Sequence, residues 1–221
     1  MRYDTVIRGA FVRRPNRFLA EVQICGALET VHVKNTGRCR ELLLPGAEVF
    51  LTPAASPSRK TRYDLIAVTK PGLGLVNIDS QAPNQVAGEW LSGLDFALLR
   101  PEYRFGSSRF DFYGEKEGME YLIEVKGCTL EIDGVGYFPD APTLRGTKHL
   151  RELAAAVSPA RACWIVFAVT MPGIIQIRPN RVTDPAFADA LEAAKRAGVR
   201  MFVLPCRVEQ TGVIPLEAIS F

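Results

Sequence analysis

The chain has 221 residues, is 48% hydrophobic and 23% charged, and so has the composition of a folded protein with enough length for one large core or two small ones. Its five cysteines (Cys25, Cys39, Cys128, Cys163, Cys206) are scattered without a Cys-x-x-Cys pair, and it has two histidines, which leaves little material for a disulfide framework, a zinc cluster or a Ser-His-Asp triad. The net charge of +3 is unevenly spread: residues 1–80 hold 12 Lys and Arg against 7 Asp and Glu, residues 81–221 hold 15 against 17. A basic front half and a mildly acidic back half suit a polyanion grip beside a cation site, although random surface charge gives a similar split.

The opening Met1-Arg2-Tyr3-Asp4-Thr5 leads straight into a strand-like pattern, with no charged start followed by an apolar run. Apolar stretches such as Ala162–Val169 are strand-sized and far short of a bilayer span. A cytoplasmic protein with no membrane partner is therefore expected.

Short strands are predicted at Thr5–Val12, Phe18–Ile24, Leu28–Val33, Glu48–Pro53, Tyr63–Thr69 and Leu75–Ile78, punctuated by Pro15-Asn16, Gly26, Asn35-Thr36-Gly37, Pro45-Gly46 and Pro71-Gly72. So many strands in so short a stretch point to a small barrel, OB-like first, with an SH3-like barrel or half-sandwich as alternatives. The pattern changes at Ala82, where Pro83-Asn84 precedes a predicted helix over Gln85–Leu94. The expected division is a barrel over residues 1–80 and an α/β domain over 81–221.

Beyond that boundary strands are predicted at Glu102–Phe105, Ser108–Tyr113 and Glu120–Leu130, then a helix over Thr143–Val157, a strand at Ala162–Val169, a helix over Pro185–Ala197 and a strand at Val199–Leu204. That alternation gives a mixed sheet flanked by helices. Thr143 and Asp184-Pro185 are helix-start signals. Leu150, Leu153, Ala154 and Val157 form the apolar stripe of the first of these helices, and Arg145, Lys148, His149 and Glu152 its polar face.

The chemistry concentrates in two neighbouring strands. Alternation in Ser108–Tyr113 puts Arg109, Asp111 and Tyr113 on one face with Phe110 and Phe112 opposite; in Tyr121–Lys126 it puts Glu124 with Lys126, against Ile123 and Val125. A glycine-bounded turn, Gly114–Gly118, lets the strands pair antiparallel and bring Asp111 beside Glu124. Two converging carboxylates repel unless a cation lies between them, and oxygen ligands suit Mg²⁺ or Mn²⁺. Such a cation serves phosphodiester hydrolysis, with Lys126 orienting water and stabilising developing charge. Asp111, Glu124 and Lys126 are the candidate catalytic residues and Asp111 and Glu124 the candidate metal ligands.

This Asp-x(n)-Glu-x-Lys arrangement resembles the PD-(D/E)xK nuclease superfamily, with Phe110-Asp111 standing where that signature has Pro-Asp. That superfamily often draws a further carboxylate from the helix before the sheet, so the resemblance adds Glu89 as a candidate metal ligand and Glu102 as a weaker one, although a solvated helix glutamate is the plainer reading of Glu89. An ion-paired surface strand gives the same short motif. Longer stretches carry a second resemblance: Arg14–Phe18, Val31–Arg38, Arg59-Lys60-Thr61, Pro83-Asn84, Gly106–Phe112, Glu124-Val125-Lys126 and the run from Phe138 to Leu150 are similar, in this order, to the sugar fermentation stimulation protein (SfsA) family. The resemblance implies an OB-like N-terminal domain, a PD-(D/E)xK nuclease-like C-terminal domain, DNA binding and a role in regulating sugar (maltose) metabolism.

Candidate nucleic-acid contacts are Arg14, Arg17, Arg38, Arg59 and Lys60 on the barrel, where positive charge stands near Phe18 and Tyr63, and Arg145 with His149 on the helix after the acidic strands. Ordinary solvated loops account equally well for any single one of them. Two functions compete: a metal-dependent nuclease, and a DNA-binding regulator using the nuclease-like fold as scaffold. Clustered carboxylates favour the first, because they repel a phosphate backbone and give a pure binder little.

Overall fold

The computed structural model describes residues 1–221 apart from Thr36 and Pro57, so Thr36 of the predicted Asn35-Thr36-Gly37 turn lies outside the described residues. Six strands come first: β1 (Ile7–Asn16), β2 (Leu19–Ile24), β3 (Ala27–Val33), β4 (Glu48–Pro53), β5 (Tyr63–Lys70) and β6 (Gly74–Asn77). Each of β1 to β5 sends alternate apolar residues inward, and the parallel pairing of β3 with β5 joins the ends of an otherwise antiparallel sheet. The ring β1-β2-β3-β5-β4-β1 is the five-stranded OB barrel, with β6 added outside β5. Strand β1 runs on past its predicted end at Val12 because register shifts on either side of Arg13 accommodate Pro15, which cannot donate to a ladder.

The second unit starts with α1 (Ala82–Ser92). This helix begins earlier than Gln85 because Pro83 sits in its first turn, where the missing N–H costs nothing, and it ends at Gly93. Then follow β7 (Leu98–Phe105), β8 (Ser108–Lys116), β9 (Met119–Cys128), β10 (Leu130–Ile132), β11 (Val135–Phe138), α2 (Leu144–Ala156), β12 (Arg161–Val169), β13 (Ile177–Pro179), α3 (Pro185–Arg196), β14 (Arg200–Glu209), β15 (Gly212–Pro215) and β16 (Ile219–Ser220). The main sheet runs β15-β14-β12-β9-β8-β7, parallel across β9, β12 and β14 and antiparallel across β7, β8 and β9. Strands β10, β11 and β13 form a separate small sheet; they are too short to leave a periodic signal in the sequence.

Helix α1 covers one face of the main sheet through Val86, Ala87 and Leu91 against Ile123, Val125 and Val166. Helices α2 and α3 cover the other, where Leu150, Leu153, Phe187 and Leu191 pack on Leu122, Ile165 and Phe167 in a cluster continuous with the barrel interior. Caps start α2 and α3 as the sequence predicts: Thr143 Oγ1 accepts from Gly146 N–H, and Asp184 Oδ1 from Phe187 N–H.

The two units are joined by more than the linker. Asn77 N–H donates to Thr170 O (3.0 Å), Thr170 Oγ1 donates to Asn77 O (2.7 Å), and Lys70 Nζ meets Glu131 Oε2 at 2.5 Å. The first three residues pack on the second unit, with Met1 N donating to Val213 O and Tyr3 N–H to Thr211 O (both 2.8 Å). Among the described residues no helix is long and apolar enough to cross a membrane.

Candidate functional site

The antiparallel ladder between β8 and β9 pairs Phe112 with Ile123 and stops there, so the strands part where Asp111 and Glu124 stand. Asp111 fills the opening: its Oδ2 accepts the Val125 N–H at 2.7 Å and its Oδ1 accepts from Asn84 Nδ2 at 2.8 Å. A side chain in place of a ladder bond disturbs the pleat. Phe110 consequently enters the α2 side of the core and Phe112 the α1 side, which corrects the expectation that both phenylalanines share a face. On β9 the alternation holds, with Ile123 and Val125 under α1 and Glu124 turned toward α2.

Glu124 is 2% exposed. Its Oε1 accepts from His149 Nδ1 at 2.5 Å and from the Lys126 ammonium, while its Oε2 is buried with no partner. Burial pushes the Glu124 carboxyl upward, but the His149 hydrogen bond and the Lys126 charge outweigh it and hold the group below its ordinary value. Since an ionised carboxylate only accepts, His149 Nδ1 carries the proton of that bond. Asp111 moves the opposite way: burial and then the neighbouring Glu124 charge raise it, and the Val125 N–H, Lys126 and Asn84 offset only part of the rise.

A cleft of about 830 Å³ opens over this pair, between the barrel and the second unit. Arg17, Arg38 and Arg40 line it from the barrel, Asn77 to Ser80 from the linker, and Asn84, Lys126 and Asp140 from the second unit. Asn84 and Lys126 each touch one of the two acids, so the carboxylates lie directly behind the cleft wall.

Several sequence candidates are placed elsewhere. Glu89 does not join the acids; it holds the amino terminus at 2.7 Å. Its position on the helix explains this: Asn84 and Gly88 face β8, while five residues from Asn84 to Glu89 rotate the side chain by about 140° and carry it about 7.5 Å along the axis. Glu102 pairs with Arg109 at 2.8 Å. His149 is corrected from a phosphate contact on a polar face to a buried partner of Glu124, with its ring against Phe110.

Arg14 does line the cleft, but its guanidinium donates to the carbonyls of Arg17, Asn35, Gly37 and Arg38 at 2.7–2.9 Å, tying two barrel loops together. Arg59 is held by Asp64 at 2.8 Å and by Thr61. Lys60 and Arg145 are exposed and lie off the cleft. Of the predicted basic contacts, Arg17 and Arg38 are exposed within it.

Sequence reasoning missed Asn84, Arg40 and Asp140. Asp140 Oδ2 accepts the Arg38 N–H at 2.9 Å across the cleft, and a Cβ at Gly37 would collide with that carboxylate, so glycine is what allows the approach. The pairing of Pro83-Asn84 at a helix start, and of Asp140 with the Pro142-Thr143 cap, were visible as turn chemistry only.

The donor set fits a hard divalent cation. An unpartnered, buried carboxylate oxygen on Glu124 beside the like charge of Asp111 is an oxygen site suited to a cation. Among the described residues no third His, Cys, Asp or Glu completes a cage. A cation held by the two acids would take its remaining ligands from solvent, as is usual for Mg²⁺.

Comparison with known proteins agrees with this architecture. The N-terminal OB domain model of the SfsA family matches residues 12–78, and its sugar fermentation stimulation protein RE domain model, restriction-endonuclease-like, matches residues 81–212. The sugar fermentation stimulation protein homolog of Desulfitobacterium hafniense (strain Y51) is 50% identical over 216 residues, covering 96% of this chain and 94% of that protein. The homolog of Clostridium beijerinckii is 44% identical over 217 residues, covering 96% of each. A solved structure, Pyrococcus furiosus SfsA in complex with Ca²⁺, superposes with a TM-score of 0.87 at 29% identity, over 99% of this chain and 96% of that one. With an OB barrel and a nuclease-like RE domain matched in order over nearly its whole length, this chain belongs to the SfsA family, the sugar fermentation stimulation proteins.

Proposed function

We propose that the protein binds nucleic acid, DNA in the first instance, in the cleft between its two units, and hydrolyses phosphodiester bonds there with a divalent cation held by Asp111 and Glu124. The unpartnered Glu124 Oε2 carries the reading. That oxygen stands beside a second buried acid and directly behind the cleft wall, where a cation can take it as a ligand. The relative from Pyrococcus furiosus was solved with Ca²⁺, a cation that takes the same class of ligand as Mg²⁺ and Mn²⁺.

A cation bound at the two acids supplies Lewis acidity toward a phosphate and makes hydroxide available near neutral pH. The chain's own residues do the rest. His149 keeps Glu124 ionised and fixed, and Asn84 with the Val125 N–H fixes Asp111. Lys126, on the cleft wall, can turn its ammonium from Glu124 to a phosphate oxygen or an attacking water. Arg17, Arg38 and Arg40 hold the neighbouring phosphates.

A second reading has one observation in its favour. Lys126 and His149 already balance much of the Glu124 charge, which suits a non-catalytic DNA-binding regulator of sugar (maltose) metabolism on a nuclease-like scaffold. Incubating the purified protein with labelled DNA and RNA in Mg²⁺, Mn²⁺ or EDTA, beside Mn²⁺ calorimetry, separates the two. Cation-dependent cleavage is expected; no divalent binding at millimolar concentration, even with nucleic acid present, would remove the hydrolase reading.

A further inference from the structure

We infer that the cleft takes a single strand, with Arg17, Arg38 and Arg40 on its phosphates and Phe18 stacking on a base at the rim. This rests on the reading that nucleic acid occupies the cleft. Walls stand on both sides of that space, the barrel loops on one and Asn84, Lys126 and Pro139 to Thr143 on the other, over a floor from Asn77 to Ser80. A volume of about 830 Å³ is that of a small-ligand pocket. Duplex recognition takes a broad open face, about 1,000 Å² or more of protein surface, and a space lined on both sides does not offer one. Lying across the top instead, a duplex would keep its phosphates away from Asp111 and Glu124, which sit behind the wall. An unpaired strand is narrow enough to lie along that wall, against Asn84 and Lys126, which touch the two acids.

The barrel side carries what a strand needs. Arg17, Arg38 and Arg40 are exposed, and among the described residues none is in an ion pair, in contrast to Arg13, Arg59 and Arg62, which are held by Glu21, Asp64 and Glu29. Their placement is built rather than incidental. Arg14 gathers the carbonyls of Arg17 and Arg38 onto one guanidinium, and Asp140 pins the Arg38 N–H from the opposite wall. Arg14 and Asp140 are thus positioning residues for the cationic row. Phe18 stands beside Arg17 in the β1–β2 turn, 50% exposed, with its backbone N–H fixed by Asn16 Oδ1 at 2.9 Å. A half-exposed aromatic on a fixed turn next to free arginines is a stacking platform that tolerates any base.

The test measures retention of labelled oligonucleotides of one sequence, single- and double-stranded, by the native protein in EDTA. At least tenfold tighter binding of the single strand is expected. Phe18→Ala should weaken single-strand binding about 5- to 100-fold, Phe18→Trp should restore it, and duplex binding should change little in either, with unchanged circular dichroism. Equal affinity for the two forms, or Phe18→Ala protein that holds the single strand as tightly as the native protein, would overturn the inference. No cation enters these measurements, so failure of cleavage in Mg²⁺ counts against the hydrolase reading alone, and loss of strand preference counts against this one alone.

Discussion

The two units each bury a pair of acids beside a lysine and a histidine, and the two pairs end differently. In the barrel and the linker that leaves it, Asp64 and Asp79 are 3% and 4% exposed, with Lys34 between them at 3.4 and 3.3 Å. His32 and Arg59 complete Asp64, and Tyr3 and the Gln81 N–H complete Asp79, so all four carboxylate oxygens are partnered. In the second unit Asp111 and Glu124 have Lys126 and His149, yet Glu124 Oε2 stays buried and unpaired. The same kit of residue types makes a closed structural network in one place and an open oxygen site in the other. What separates structure from candidate chemistry is therefore an unsatisfied carboxylate oxygen standing beside a second buried acid at a cleft wall, which no count of acids and bases reveals.

Breaking the open pair should give the largest effect. Asp111→Asn keeps size and the acceptor for the Val125 N–H, turns the Asn84 contact around because the new amide NH₂ donates where the carboxylate accepted, and removes a ligand charge, so under the proposed function cleavage falls on the order of 10³-fold and Mn²⁺ affinity falls with it, read by gel assay and calorimetry. Breaking the closed pair works on stability instead. Asp64→Ala strips Lys34, His32 and Arg59 of their shared partner and should cost roughly 3 kcal/mol in denaturant unfolding. Metal affinity measured on the folded protein should not change.

The pH dependence of that loss has a fixed sign. Burial raises the Asp64 carboxyl, but Arg59, Lys34 and His32 together hold it below its ordinary value. The stabilisation is then complete above the unfolded value of about 3.9 and disappears as pH falls through the lower folded one. Unfolding measured from neutral pH down to strong acid should show the native protein losing stability over that range and Asp64→Asn protein losing less of it.

Lys126→Ala sharpens the comparison from the other side. It should leave the cation bound and lower turnover by about 10²-fold, because the ammonium is assigned to water and transition-state charge; loss of Mn²⁺ binding would contradict that assignment. Asp111 offers a smaller contrast with Asp64. An acid whose folded value is raised costs stability once ionised, so Asp111→Asn in EDTA should melt at or above the native temperature at neutral pH, where a fall of several degrees would argue against the opposed charges. The smallest effect expected is at the cleft rim: charge reversal at Arg17 or Arg38 should weaken binding of all sequences alike, and neutralising either should lower the slope of log affinity against log salt by about 1.

Much of this was legible in the chain itself. Period-2 runs broken by Gly, Pro and Asn predict the barrel strands, and Thr143 and Asp184-Pro185 predict two helix starts, because these are local effects of backbone sterics and capping. Glu124 and Lys126 share a face for the same reason. Asp111 did not follow that rule, since its carboxylate replaces a ladder bond and turns Phe110 and Phe112 to opposite sides.

By itself the sequence determined the order of the two units, the antiparallel pairing of β8 with β9, and the family, all of which follow from local pattern and long ordered motifs. Only the tertiary structure decided which charges are spent. Arg14 and Arg17 read alike in the sequence, yet one is consumed by four carbonyls and the other is free at the cleft. Glu89 and Asn84 share a helix, yet the packing of α1 on β8 gives the asparagine to Asp111 and the glutamate to the amino terminus. Burial and partnership arise between segments far apart in the chain, as Arg38 with Asp140 and Glu124 with His149 show, and a one-dimensional pattern carries no distance across that gap.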